Sequence, residues 1–201
     1  KILPGDIRYV DVTGDGKINA DDRVILNSSD PKFTFGFNLS AQYAGFDVMA
    51  FFQGAAGVKG YLGIEAIGSI NGDDAKPAAL WMDRWTPENK NAFYPRPSNN
   101  AWVSNAQNFL RQTRYLSDMS YLRCKNITVG YTLPKEWMKK IYFESARFYV
   151  SAENLFEFDN MKIPVDPEST AYKTGYGDES WSFGRSYPYS RTISFGIQVN
   201  L

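Results

Sequence analysis

The stretch Phe33–Tyr43 reads FTFGFNLSAQY, and its alternation decides the fold. Phe33, Phe35, Phe37, Leu39, Ala41 and Tyr43 take turns with Thr34, Gly36, Asn38, Ser40 and Gln42. A period of two sends these two sets to opposite faces of a strand. After a tight turn at Ala44 and Gly45, FDVMAFFQG carries the alternation on, so the two runs form a hairpin. In YLRCKNITVGYTL, which begins at Tyr121, Leu122 and Cys124 fall on one parity and Ile127, Val129, Tyr131 and Leu133 on the other. The switch predicts a bulge near Lys125 and Asn126. ARFYVSAENLFEF groups Ala146, Phe148, Val150, Ala152 and Phe156, and RTISFGIQVNL groups Ile193, Phe195, Ile197, Val199 and Leu201. The pattern predicts strands over 33–43, 46–54, 121–133, 146–158 and 191–201.

Such alternation suits either a half-buried sheet in a soluble sandwich or a membrane barrel with lipid outside and water inside. Length separates them. Eleven residues at roughly 3.3 Å each span about 36 Å, and a tilt of about 45° reduces that to about 25 Å, the height of a lipid-facing band. Soluble strands usually stop at about five or six residues. The connections run short at 44–45, long over about 55–120, moderate over 134–145 and long over about 159–190. Barrels of the outer membrane alternate short periplasmic turns with long external loops in this way.

Composition removes other classes. Twenty-two basic residues balance 22 acidic ones, so the basic footprint of a nucleic-acid binder is missing. The chain has no histidine and one cysteine, Cys124, which excludes histidine-dependent triads, zinc-type Cys/His clusters and an internal disulfide. Nothing singles out a catalytic carboxylate pair, and the chain reads as a non-enzyme. No apolar run is long enough for a membrane helix. The chain opens at Lys1 without an initiator Met, which implies a piece of a longer polypeptide.

DVTGDGKINADD, Asp11 to Asp22, has the spacing of a twelve-residue calcium loop. Positions 1, 3, 5, 7, 9 and 12 fall on Asp11, Thr13, Asp15, Lys17 through its carbonyl, Asn19 and Asp22. Gly16 stands where the loop must turn, and Ile18 is the expected apolar pin. Thr13 and Asp22 depart from the commoner Asp and Glu. The competing reading is a plain Asp/Gly turn.

Together, DVTGDGKINADDRVIL, PKFTFGFNLSAQYAGFDVMAFFQG, YLRCKNITVGYTLP, ARFYVSAENLF and YPYSRTISFGIQVNL resemble the C-terminal end of the SusC/RagA family of TonB-dependent outer-membrane transporters. The resemblance covers nearly the whole chain. It implies an all-β, antiparallel transmembrane β-barrel segment with long extracellular loops, the last five strands of a 22-stranded barrel around a plug. It implies residues 1–32 as an extracellular loop with the calcium motif, and 33–201 as barrel strands and loops. It further implies import of glycans or oligopeptides, a SusD-like surface lipoprotein as partner, a TonB complex reached through a preceding region, and loops on the cell surface. The terminus departs from the family habit of an aromatic last residue, since Leu201 stands there. The rival is a secreted calcium-binding β-sandwich or a dockerin-like carbohydrate-binding module; a dockerin pairs two such loops and one is present.

Trp81, Trp85, Trp102, Tyr172, Tyr176 and Trp181 lie in the long connections. They are candidates for substrate or partner contact, against self-packing of the loops. Asn38, Gln42, Arg147, Glu153, Gln198 and Asn200 are expected to hydrate or pack a barrel interior. KEWMKK, Lys135 to Lys140, is expected to be a capped turn with an interfacial Trp137.

Overall fold

The computed structural model describes residues 2–26, 30–61, 79–97, 108, 112–140, 142–162, 165–168 and 189–201. Five long strands run β1 (Phe33–Tyr43), β2 (Phe46–Ala56), β5 (Tyr121–Thr132), β6 (Ser145–Glu153) and β8 (Thr192–Asn200). They pair antiparallel in the order β1-β2-β5-β6-β8, each beside its predecessor. Short strands β3 (Lys59–Tyr61) and β4 (Leu116–Asp118) pair with each other in the long connection, which the sequence pattern did not reveal. Ala44 (φ 50°) and Gly45 (φ 88°) close the β1–β2 hairpin. Positive φ at both central residues is the type I′ geometry that matches strand twist.

The register places the predicted bulge. Phe51 faces Asn126 and Phe52 faces Cys124, so Lys125 is the extra residue. Leu122 and Cys124 thereby return to the face that carries Ile127, Val129 and Tyr131. The expected continuous strand over 146–158 is instead broken. Asn154 adopts φ 50°, the chain bends, and β7 (Glu157–Asp159) pairs with β5 beyond the bulge. Two irregularities on adjacent strands thus match each other.

One face of the sheet carries Phe33, Phe35, Phe37 and Leu39 on β1, Val48 and Phe52 on β2, Val129 on β5, Phe148 and Val150 on β6, and Ile193, Phe195 and Ile197 on β8. No layer of the described residues covers it: Phe33, Leu39 and Phe195 are 69%, 57% and 80% exposed. Moving one large apolar side chain out of water is worth about 1.5–3 kcal/mol. Five of the side chains on this face, Phe33, Leu39, Ile193, Phe195 and Ile197, are more than half exposed, and leaving them in water forfeits about 7–15 kcal/mol, as much as the whole stability of an ordinary domain. Lipid removes that penalty. At the short-turn end, Tyr43, Phe46 and Tyr131 share a row, Phe46 and Tyr131 having ring centres 4.5 Å apart. Trp137 and Tyr142 lie beyond the same end, 58% and 94% exposed. Aromatic girdles at a membrane interface have this composition. Trp137 belongs to a short helix, α1 (Lys135–Lys139), that buries Met138. Contrary to expectation, no side chain caps this helix; Pro134 occupies the cap position, and its ring carries no acceptor for the first N–H groups of the helix.

The opposite face is more polar, with Asn38, Ser40 and Gln42 on β1, Asn126 and Thr128 on β5, Ser151 on β6, and Ser194 and Gln198 on β8, although Met49 and Phe51 on β2 and Tyr149 on β6 share it. Its central ion pair is Asp47–Arg147, in which Arg147 Nε donates to Asp47 Oδ1 at 2.9 Å. The pair spans β5 over Gly130, where a Cβ would stand 2.5 Å from Arg147 Nε. Gly130→Ala therefore displaces the ion pair, at a cost of up to about 1 kcal/mol because the pair is partly exposed and its side-chain ends can move. In equilibrium unfolding in detergent or lipid, the cost falls when Gly130→Ala is introduced into an Asp47→Ala background. Equal cost in both backgrounds refutes the crossing.

Candidate functional site

The loop end of the sheet holds the only extended hydrophobic cluster among the described residues. Ala55, Val58, Trp81, Tyr94, Tyr115 and Met119 are buried together, with Phe93, Tyr121, Met161 and Val165 packed around them. Trp81 stacks on Tyr94, ring centres 4.7 Å apart at 23°. At 1% exposure Trp81 has no face to offer a substrate; it is a packing residue. Trp85 is half-buried and lies against Gly5, and Trp102, Tyr172, Tyr176 and Trp181 lie outside the described residues. Burial drives the Tyr115 phenol far above its usual range, so it stays neutral. Trp81→Ala removes the centre of this cluster and costs about 3–5 kcal/mol locally. The outcome to look for is hydrogen exchange that rises across 79–97 and 113–119 while the β1–β2 ladder stays protected.

The calcium-type loop folds on its own carboxylates. Asp11 accepts from the N–H groups of Gly14 at 2.6 Å and Gly16 at 2.8 Å. Asp22 accepts from Val12, Thr13 and Asn19 at 2.9, 3.2 and 2.9 Å. Thr13 Oγ1 stands between the two acids, 3.3 Å from Asp11 and 3.2 Å from Asp22. Hydrogen bonds from Asn19 and Thr13 hold the Asp22 carboxyl below the usual range. Asp15 instead takes the N–H of Lys17 at 2.8 Å, and Asn19 caps the short 3-10 helix Ala20–Asp22 through the Asp21 N–H at 2.6 Å. The fold thus gathers Asp11, Thr13 and Asp22 and leaves Asp15, Lys17 and Asn19 in local turns. Among the described residues no three acidic, His or Cys side chains are arranged to hold a metal. The side-chain donors of the loop are all oxygens, the type a hard cation takes. Ile18, expected to pin the loop, is 49% exposed, because the described residues bring no apolar wall against it.

Two charge clusters hold the loops to the wall, and neither was visible in sequence. Asp6 accepts from Arg96 Nε at 2.8 Å and Asn108 Nδ2 at 3.1 Å, while Asn108 accepts from Ile7 N–H at 2.7 Å. This ties the segment before the calcium-type loop to the β2–β5 connection. On β5, the Arg123 side chain is 3% exposed. It bonds Glu157 on β7, bonds Asp166 at 2.6 Å, and places Nη1 2.9 Å from Glu168 in an ion pair that lacks hydrogen-bond alignment. Lys125, the bulged residue, reaches Glu168 at 2.7 Å. The Tyr189 ring lies 5.1 Å from Arg123 and 4.5 Å from Lys125. Asp166 also accepts from Glu168 N–H at 2.9 Å and Tyr189 N–H at 3.1 Å. Pairs separated by 43 residues leave no local signal, and only the parity switch hinted that this part of β5 was special. These contacts position loops and break no bond.

Both clamps are acid-labile. Burial pushes the Asp6 carboxyl up, but hydrogen bonds from Leu3, Asn108 and Arg96 outweigh it, leaving it below the usual range. Asp166 is likewise lowered, as Arg123 and the N–H groups of Glu168 and Tyr189 overcome burial. A lowered carboxyl contributes stability that is complete above its unfolded pKa, about 3.9, and lost as pH falls through the folded value. Protease sensitivity of segment 2–7 is expected to be flat from pH 7 to about 5 and to climb below about 4. Asp6→Asn shows the acid phenotype already at pH 7.

No family model matches the chain. Among curated proteins it is 31% identical to the TonB-dependent receptor P3 of Formosa agariphila over 98% of its length, and 30% identical to receptor P26 of the same organism over 97%. It is 26% identical to the TonB-dependent receptor SusC of Bacteroides thetaiotaomicron over 98%. The chain spans 19%, 19% and 18% of these relatives. Among solved structures, the RagAB peptide importer in its open-open state superposes with a TM-score of 0.59 at 25% identity, over 92% of this chain and 19% of that one. The RagAB peptide transporter superposes with a TM-score of 0.61 at 24% identity, over 93% and 20%, a likeness of fold.

Proposed function

We propose that this chain, which resembles TonB-dependent receptors of the SusC/RagA kind over nearly its whole length, is one stretch of the wall and rim of an outer-membrane importer. The observation that carries the reading is the two-faced sheet: an apolar face with no cover among the described residues, backed by a more polar face on which Arg147 pairs with Asp47 and Arg123 with Asp166. On this reading the apolar face meets lipid and the loop end faces outward. The wall makes no chemical step. It supplies a fixed polar surface, and energy enters through a TonB complex acting on parts of the protein beyond these residues. The cargo is a glycan or an oligopeptide, and a SusD-like lipoprotein serves as partner. Likeness to the RagAB peptide importer supports the oligopeptide branch. The secreted-module rival requires a second layer over the apolar face, and the described residues form none.

The reading is tested on the intact protein. It is expected in the outer-membrane fraction, extracted only by detergent, and to migrate faster on a gel before boiling than after. A water-soluble species with no such shift rejects it.

The same reading gives the 11–22 loop a role. Asp11, Thr13, Asp15, the Lys17 carbonyl, Asn19 and Asp22 would hold a calcium ion at the rim and stiffen the approach to β1. Extracellular sites of this class bind at about 0.1–1 mM. Titration of the intact protein with calcium is expected to saturate in that range, and Asp11→Ala with Asp22→Ala to abolish the saturable phase. A wild-type protein that binds no calcium at 10 mM, about ten times the weakest expected constant, defeats the assignment.

A further inference from the structure

At its loop end the sheet is bare on one face and covered on the other, among the described residues. Phe33 lies opposite Ala56 and Phe158 opposite Leu122 on the apolar face, and these two rings stay 69% and 65% exposed. The alternate rows, Ala55 with Tyr121 and Gln53 with Arg123 and Glu157, point to the more polar face. Ala55 and Arg123 are buried there. Chain from both long connections does the burying. Val58, Trp81, Tyr94, Tyr115 and Met119 of the β2–β5 connection form one cluster with Ala55, and Met161 and Val165, which follow β7, pack against that same cluster. Asp166 and Glu168 meet Arg123, and Glu168 also meets Lys125. Lys162 Nζ stands 6.0 Å from the centre of the Phe93 ring, a further contact between the two connections.

Both connections therefore lean to one side of the sheet. Charge explains the choice. The cations of β5 lie on the more polar face, and an acid laid on the apolar face would be desolvated without a partner. On the outer-membrane reading above, on which this inference rests, the more polar face lines the lumen, so whatever packs on it takes up room in the path of the cargo. We propose that Arg123 is a positioning residue for import: by holding Asp166 and Glu168 against β5 it keeps this part of the β7–β8 connection inside the mouth of the barrel, and the width left over limits the size of what enters. The narrowing is built in and does not wait for cargo. Swinging the segment outward would strip the buried Arg123 of Asp166 and Glu168, two of its three acids.

The test uses the full-length receptor on whole cells that lack the lipoprotein, with Cys124→Ser throughout so that one added cysteine reports. The reporter is Ser194→Cys, exposed on the more polar face in the row of Thr128 and Ser151, further from the loop end than the Arg123 clamp. Two membrane-impermeant maleimides are compared, one small and one carried on a long polyethylene glycol chain. Only the fraction that shows the gel shift of a folded barrel is scored. Glu88→Cys, exposed on the β2–β5 connection, is the control that both probes reach. At Ser194→Cys the small probe is expected to label readily and the large one on the order of tenfold more slowly, since its entry waits for local opening of the loops. Arg123→Ala is expected to abolish that difference and leave the small-probe rate unchanged, and Asp166→Asn with Glu168→Gln to do the same. A role in stability alone would lower the folded fraction and leave the ratio of the two rates where it was. Equal rates for both probes in the parent, no labelling by either, or a size difference that survives in either folded variant overturns the proposal. If Glu88→Cys labels only after lysis, the outer-membrane reading itself has failed and the narrowing falls with it.

Discussion

A backbone in hydrocarbon must satisfy every N–H and C=O within the protein, and the side chains that meet lipid must be apolar. The antiparallel ladder from β1 to β8 meets the first demand between strands. The period of two meets the second. The bulge at Lys125 is a consequence of both. Leu122 and Cys124 have the wrong parity relative to Ile127 and Val129, and one unpaired residue brings all four to the same face. That extra residue is a lysine. It gives β5 a second cation beside Arg123 on the more polar side, so the device that keeps one face apolar also equips the other to hold a loop.

The cations of the polar face are held by pairing. Arg147 meets Asp47 across Gly130, and Arg123 meets Glu157, Asp166 and Glu168 at nearly complete burial. Removing one partner of a buried pair is far more costly than the pair is worth, because the survivor remains desolvated and uncompensated. Such clusters therefore favour one arrangement of loop on wall. The Asp6 clamp does the same for the chain ahead of β1, so residues 5–7 are fixed to Arg96 and Asn108 of the β2–β5 connection before any ion or partner is considered.

The aromatic loop residues divide by environment. Trp81 and Trp85 look alike in sequence, each in a polar connection rich in Asn, Pro and Asp. One is sealed against Tyr94 and the other lies half-buried over Gly5. Stacking partners 13 residues away, and a glycine distant in the chain, decide the difference, and no local pattern encodes either. The calcium-type loop shows the converse. Its Asp/Gly spacing is local, so the turns, the two glycines at positive φ and the gathering of Asp11 with Asp22 around Thr13 are close to what the spacing implies.

The sequence by itself determined the strands, their faces, the short hairpin turn and the bulge, because each depends on residues one to three positions apart and on the single variable of apolar parity. It determined the resemblance for the same reason, since the recurring segments are the strands themselves. The tertiary structure alone decided where β6 breaks at Asn154, that β3 and β4 pair, which tryptophan is buried, and that Arg123 and Asp6 anchor the loops. These depend on groups brought together across tens of residues, where the energy of a contact is set by burial and geometry that no one-dimensional spacing contains.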